Sequence, residues 1–199
     1  MALAAPPPDD PYLFFHQAFI WLSEHGYADE IRWAETLAPL EQQTPAAFLQ
    51  EYVWVVLNAG MREQVARTIY DRFMAARDPA AIGHPGKRVA VERALREHEA
   101  WFATLLAAED KLAYLESLPW IGPVTKYHLA RNLGIEVVKP DRHLVRLAAR
   151  FGYASPDALC RAIQVEGMIP PGPELRLGTI DLVLWRYCNI TAQTICTCR

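Results

Sequence analysis

The stretch LPWIGPVTKYHLARNLGIEVVKPDRHLVR, residues 118–146, decides the fold. Its first half has the grammar of helix, tight turn, helix. Leu118 and Ile121 are apolar pegs, and Gly122 permits a close backbone approach. Pro123 stands where a second helix begins, because proline has no N–H to lose in a first helical turn. A turn of this kind leaves unpaired N–H groups and the positive end of the helix dipole facing outward, which suits an anion such as a DNA phosphate. An ordinary pair of packed helices fits the same residues. The second half sets a carboxylate, Asp141, between Pro140 and Arg142 at the start of another helix. Lys126, Arg131, Lys139, Arg142 and Arg146 surround it along the chain.

Outward from this stretch the chain reads as helices. Residues 11–25 carry Phe14, Phe15, Ala18, Phe19 and Leu22 at helical spacing. TPAAFLQEYVWVVLNAG, residues 44–60, opens with Thr44 as N-cap and Pro45 as first helical residue, and closes at Gly60. MREQVARTIYDRFMAAR, residues 61–77, sets Val65, Ile69 and Phe73 on one face. Residues 87–107 predict a long helix, 109–117 a short one and 124–133 another, stopped by Gly134. A helix starting near Pro140 stops at Gly152, and Ser155-Pro156 opens the next. MIPPGPE, residues 168–174, reads as a loop, and LGTIDLVLWRYCNI, residues 177–190, as the last helix. The expectation is an all-α protein of about ten helices with mostly short loops. Trp54, Trp101 and Trp185 fall in apolar stripes and are expected in the core, whereas Arg150 belongs on a solvated face.

The bulk numbers fit one compact unit or two small lobes sharing a core: 199 residues, 52% hydrophobic and 22% charged. The net charge of −3 does not mark a nucleic-acid binder, so any such role rests on a local basic face. No apolar run approaches membrane-spanning length. The start, MALAAPPPDDPYLFF, lacks the basic and apolar regions of a signal peptide, so a cytoplasmic protein is expected. The cysteines are Cys160, Cys188, Cys196 and Cys198; the last two form C-x-C with no histidine beside them, which favours reduced thiols over a metal site. No Walker loop, dinucleotide fingerprint or metal-ligand cluster is present, so neither cofactor nor metal is expected.

LPWIGPVTKYHLARNLG followed by KPDRHLVRLAARFG resembles the helix-hairpin-helix, Gly/Pro-Asp (HhH-GPD) superfamily of DNA glycosylases over residues 118–152. The resemblance implies a two-lobed all-α fold with the hairpin motif at 111–133. It implies a central lobe at 45–134 and a second lobe from 1–44 and 135–199, within a single unit that is a monomer. It further implies a cleft between lobes in which the aspartate serves an extruded nucleotide. Residue by residue, Asp141 is then the catalytic carboxylate, and Leu118, Trp120, Ile121, Gly122, Val124, Thr125 and Lys126 hold the DNA backbone. VVLNAGMREQVARTIYDRF corresponds to the helix–turn–helix that carries the family's base-displacing wedge.

Three positions depart from the family. The lysine of lyase-type members is replaced by Val124, which cannot form a Schiff base, and Lys126 lies roughly 200° around the helix from it. The wedge position is Gly60, with Met61 and Arg62 beside it, and Trp120 occupies the first hairpin glycine. The iron–sulfur cysteine pattern is also missing. The DNA grip and the aspartate remain while the repair machinery is weakened. The wording of NAGMREQVAR and of GPVTKYHLARNLG with KPDRHL is similar to the glycosylase-like transferases with which bacteriophages hypermodify thymine. These transfer an amino acid or polyamine to a phosphorylated 5-hydroxymethyluracil in DNA. The alternatives are a monofunctional glycosylase that hydrolyses the N-glycosidic bond, and a helix-hairpin-helix module that only binds DNA. In the transferase, Asp141 is general base for the amine or steadies a cationic exocyclic methylene. Lys139, Arg142 or Arg62 binds the leaving phosphate, and His143 is a further phosphate contact. Asn58, Arg62 and Gln64, at the turn after the second helix, are candidates to read a base edge. DNA and a small amine donor are the expected partners, with no membrane. Asp181 reads equally as a surface charge or a pocket group.

Overall fold

The computed structural model describes residues 9–167 and 175–195. Among them it contains no strand. The helices are α1 (Pro11–Leu22), α2 (Ala28–Thr36), α3 (Pro45–Asn58), α4 (Glu63–Ala76), α5 (Pro85–Ala107), α6 (Lys111–Ser117), α7 (Thr125–Asn132), α8 (Arg142–Arg150), α9 (Pro156–Gly167) and α10 (Leu177–Ile195). The expected loop at 168–174 and the C-x-C end at 196–198 lie outside the described residues.

Local chemistry accounts for most of the boundaries. Asp10, Thr44, Asp110, Asp141 and Ser155 each accept a backbone N–H of the first turn that follows, worth about 1 kcal/mol apiece. Proline occupies the first position of α1, α3, α5 and α9. α5 begins earlier than expected, at Pro85, because His84 caps it by accepting Lys87 N–H at 3.4 Å. The first helix ends at Leu22, and a kink at His25 and Gly26 (φ 90°) turns the chain into α2. α2 was not anticipated; only Ile31 and Ala34 of its residues are buried, too sparse a stripe to stand out in the sequence.

The chain divides into two compact units: Met1–Leu37 with Glu136–Arg199, and the continuous segment Ala38–Ile135. The division at 37/38 has a packing reason. Gly134 (φ 81°) lies so close to Ala38 that a Cβ there would sit 2.2 Å from the Ala38 carbonyl oxygen, and Gln43 Nε2 donates to that same oxygen at 2.7 Å.

In the 38–135 unit α3 is the central element, packed against α5, α4 and α7. Phe48, Tyr52, Val53, Val55, Val56 and Leu57 are all fully buried along it. Each large apolar side chain removed from water contributes about 1.5–3 kcal/mol. α4 turns Ala66 and Phe73 inward, whereas Val65 is 48% exposed, so the face expected from Val65, Ile69 and Phe73 is corrected by about one position. Among the three tryptophans expected in the core only Trp101 is buried; Trp54 and Trp185 are half-exposed beneath cationic side chains.

In the other unit α10 packs against α1, α2, α8 and α9. Phe14 meets Phe151 and Tyr187 edge to face at 5.7 and 5.6 Å. Glu136 Oε2 accepts the Leu177 N–H at 2.8 Å, placing a carboxylate at the positive end of α10. Arg176 donates to Glu136 Oε1 and to the Leu37 carbonyl, so three distant points of the chain meet there. Arg150 is exposed, as expected of a solvated face, and its guanidinium lies 5.0 Å over the Phe151 ring. No helix among the described residues is long and apolar enough to cross a membrane.

Candidate functional site

The hairpin lies in the 38–135 unit and is built by α6, a turn and α7. Leu115, Leu118 and Ile121 are buried and anchor it, while Tyr52 of α3 donates its hydroxyl to the Pro119 carbonyl at 2.6 Å. The left-handed residue of the turn is not a glycine. Trp120 has φ 63°, a conformation costing an L-residue about 1–2 kcal/mol. Its indole lies on Gly86, where a Cβ would come within 2.6 Å of Trp120 Cζ2, and its edge meets His84 at 4.9 Å. Gly122 has ordinary φ and no neighbour within contact of a Cβ except Thr125 Oγ1 at 3.9 Å, so its openness is left for whatever approaches the turn.

The hairpin amides are partly occupied. Gly122 N–H, expected to be unpaired, donates to Thr125 Oγ1 at 2.7 Å. Lys126 N–H returns to the Gly122 carbonyl at 3.0 Å. The amides of Val124 and Thr125 take no acceptor among the described residues. Val124 is 45% exposed. Lys126 is ion-paired with Glu116, and that bond raises its pKa, so this ammonium is less available to a phosphate than its place in the motif suggests.

The turn from α3 to α4 is held by a buried cation that sequence reasoning missed. Lys87, 4% exposed, donates its ammonium to the Leu57 carbonyl at 2.9 Å and the Ala59 carbonyl at 2.7 Å. These carbonyls end α3, where the dipole favours positive charge; burial lowers the Lys87 pKa. Gly60 follows at φ 68°, and Met61 N–H bonds the Asn58 carbonyl. Asn58 is half-buried, Arg62 and Gln64 are exposed, and none of their side chains makes a hydrogen bond among the described residues. The residues HPGK, 84–87, thus serve both elements: Gly86 seats Trp120 of the hairpin and Lys87 fixes the α3–α4 turn. The cap-then-proline pattern His84-Pro85 was the signal that could have exposed this.

Asp141 lies in the other unit. Its N–H closes onto the Lys139 carbonyl at 2.7 Å around Pro140, and its own carbonyl accepts Val145 N–H at 2.8 Å. Oδ1 accepts His143 N–H at 2.9 Å and so caps α8. No group among the described residues donates to Oδ2. The carboxylate is half-buried, and its charge helps hold the Cys188 thiol up at about 11, chiefly an effect of burial and opposed by Arg150. Lys139 N–H donates to Asp181 Oδ2 at 3.3 Å, and Asp181 is fully buried on α10, so it is not a surface charge. Arg142 is exposed, with Nε donating to His143 Nε2 at 3.4 Å. Burial lowers the His143 pKa, the Asp141 charge opposing and the Arg142 and Arg146 charges reinforcing the shift. Lys139 also brings its ammonium within 5.9 Å of the Trp185 ring.

The hairpin residues thus fall together in one unit with the α3–α4 turn, and Asp141, Lys139, Arg142 and His143 fall together in the other. Among the described residues no set of three His, Cys, Asp or Glu side chains is grouped to hold a metal ion. Comparison with protein-family models, with curated proteins and with solved structures gives no match.

Proposed function

We propose that the chain is a DNA-base-modifying transferase that joins an amine to a phosphorylated 5-hydroxymethyluracil in DNA. The observation that carries this is Asp141. One carboxylate oxygen holds the start of α8, so the side chain is fixed, while Oδ2 is left for a substrate proton. A residue serving only as a helix cap inside a phosphate-binding segment gains nothing from a negative charge, since Asn caps as well.

In the reaction the amine nitrogen bonds the exocyclic methylene carbon of the base. The carbon–oxygen bond to phosphate breaks with its electron pair, and phosphate departs. The proton on nitrogen passes to Asp141 Oδ2. Lys139 and Arg142, beside Asp141 in sequence, are the cations offered to the leaving phosphate. The Val124 and Thr125 amides, at the start of α7, supply backbone N–H donors for the DNA phosphodiester. Val124 has no amine, so strand-cleaving lyase chemistry is not part of the reaction.

Mass spectrometry of nucleosides from duplex DNA containing 5-phosphomethyluracil, incubated with the protein and a mixture of amino acids and polyamines, tests this. A heavier thymidine nucleoside, absent with Asp141→Asn, is expected. Free base and abasic sites would replace transfer by glycosidic hydrolysis. DNA binding without any product, retained by Asp141→Asn, would reduce the chain to a binding module.

A further inference from the structure

α10 carries a buried carboxylate to which the reaction above gives no part. Asp181 is fully buried, and a carboxylate taken out of water is among the costlier side chains to place in a core. Its Oδ2 accepts the Lys139 N–H at 3.3 Å, from 42 residues away in the chain. Trp185 and Cys188 follow Asp181 by four and seven residues, so the three share one stripe of the helix. The Lys139 ammonium lies 5.9 Å from the Trp185 ring, and the Asp141 charge is felt at the Cys188 thiol. Val138, 5% exposed, belongs to the apolar cluster that also holds Ile180 and Leu184. The segment entering α8 is thus seated on α10 by side chain and by backbone.

Lys139 is the first residue of the turn that ends in Asp141. Its N–H goes to Asp181, and its carbonyl accepts the Asp141 N–H at 2.7 Å, closing a three-residue turn over Pro140. Proline fixes φ in the middle of that turn. On the other side the Asp141 carbonyl accepts Val145 N–H at 2.8 Å, and Oδ1 accepts His143 N–H at 2.9 Å. Asp141 is therefore gripped from both directions, by α8 after it and, through Lys139, by α10 before it. The cap fixes the carboxylate relative to α8. The Lys139 bond fixes the turn, and with it the carboxylate, relative to α10. Removing the Asp181 acceptor leaves the turn referred to α8 and takes this tie to α10 away.

We propose that Asp181 is a positioning residue for the transfer: from α10 it holds the Lys139-Pro140-Asp141 turn, and so sets where Asp141 Oδ2 meets the incoming amine. This rests on the transferase reading. Asp181 does not touch the reacting atoms. Its Oδ2 supplies an acceptor at a fixed point, so an amide oxygen in the same place serves and an apolar side chain does not. Displacing a general base by about 1 Å costs about a hundred-fold in rate, while the remote parts of the substrate bind as before. The loss therefore falls on kcat and spares KM for DNA.

The test compares the full chain with Asp181→Leu, Asp181→Ala and Asp181→Asn. Leucine puts an apolar side chain of similar size in place of the carboxylate, a change that often leaves folding intact, so the acceptor can be removed even if alanine does not fold. Initial rates of nucleoside product are measured against the concentration of a 5-phosphomethyluracil duplex, at a fixed mixture of amino acids and polyamines. Amide exchange at Lys139 and Asp141 is followed by NMR. Asp181→Leu and Asp181→Ala should lose about a hundred-fold in kcat with KM for the duplex within about three-fold, and both amides should exchange about ten-fold faster. Asp181→Asn should keep kcat within about three-fold and leave both amides protected. A merely structural role would instead lower the melting point and leave kcat per folded molecule unaltered. Product from the native chain with unaltered kcat in Asp181→Leu keeps the transferase reading and overturns the inference, as does a rise in KM in place of the fall in kcat, or an asparagine variant as slow as leucine. In the native chain both amides should exchange at least about ten-fold more slowly than in an unstructured peptide, and no protection there overturns the inference whatever the variants do. Amides that quicken in Asp181→Leu while no chain yields product leave the hold on the turn standing and sink the transferase reading.

Discussion

Replacing Trp120 by glycine and, separately, by alanine tests the hairpin geometry. In most helices and strands alanine is the more stable of the two by about 0.5–1 kcal/mol. At φ 63° the order should invert. Trp120 is 44% exposed, so slightly over half of a side chain of about 250 Å² is covered, roughly 140 Å², worth about 3.5 kcal/mol at about 25 cal/mol per Å². Both variants lose this. Trp120→Ala retains the left-handed cost of about 1–2 kcal/mol that tryptophan already bears, whereas Trp120→Gly sheds it and takes on about 0.5–1 kcal/mol of backbone entropy. Trp120→Ala should therefore destabilise by about 3.5 kcal/mol and Trp120→Gly by less, about 2–3.5 kcal/mol, read from urea unfolding at constant m-value. A companion substitution makes the packing visible. In the native background Gly86→Ala drives a Cβ to 2.6 Å from the indole and should cost about 1–3 kcal/mol. With Trp120→Gly already in place, the same change should stabilise by about 0.5–1 kcal/mol, since alanine suits a helix better. Alanine at position 120 more stable than glycine, or a Gly86→Ala cost unaffected by residue 120, would refute this account of the turn.

Other substitutions probe the remaining parts. Asp141→Asn should leave the melting curve within about 0.5 kcal/mol, because Asn caps as well, while Asp141→Ala should lose about 1 kcal/mol; both should abolish product in the nucleoside assay. Lys87→Met should cost about 2–4 kcal/mol by orphaning the Leu57 and Ala59 carbonyls, and exchange of the Ala59 and Met61 amides should quicken about ten-fold; unchanged exchange there would sink the proposed hold on the turn. His143, with its pKa lowered below 6.5 by burial, favours the neutral ring in the folded chain. Its contribution to stability is therefore full above 6.5 and lost as pH falls from 6.5 through the lower folded value, because the unfolded chain takes up the proton first. Urea midpoints should decline with acid across that interval in the native chain and decline less with His143→Gln.

Much of the architecture was legible because short-range rules wrote it. Thr44-Pro45, Ser155-Pro156 and the Gly134 and Gly152 stops each name a helix end by local chemistry, and α3, α7, α8 and α9 begin or end where those residues stand. α2 was illegible because its few buried positions give no stripe, and the inward face of α4 was misplaced because Val65 and Ala66 are equally apolar neighbours. The site was legible only where one segment contains it. Asp141, Lys139, Arg142 and His143 adjoin in sequence, as do the hairpin residues. Lys87 meets Leu57 from thirty residues away, so no spacing could have announced it. Trp120 was legible as a residue of the turn, but that a tryptophan takes up a glycine's conformation is a choice of dihedral angle, which sequence alone does not display.

The discontinuous unit has a consequence during synthesis. α1 and α2 leave the ribosome well before α10, the helix against which both are packed. Between them the whole of 38–135 emerges as an uninterrupted segment whose contacts are already complete. Phe14, Phe15, Ala18 and Leu22 must therefore wait in water, or in the keeping of a chaperone, until α9 and α10 arrive to cover them. Once the 38–135 segment has cleared the ribosome the hairpin has every helix it packs on, while α8, the helix that Asp141 caps, still waits for α9 and α10.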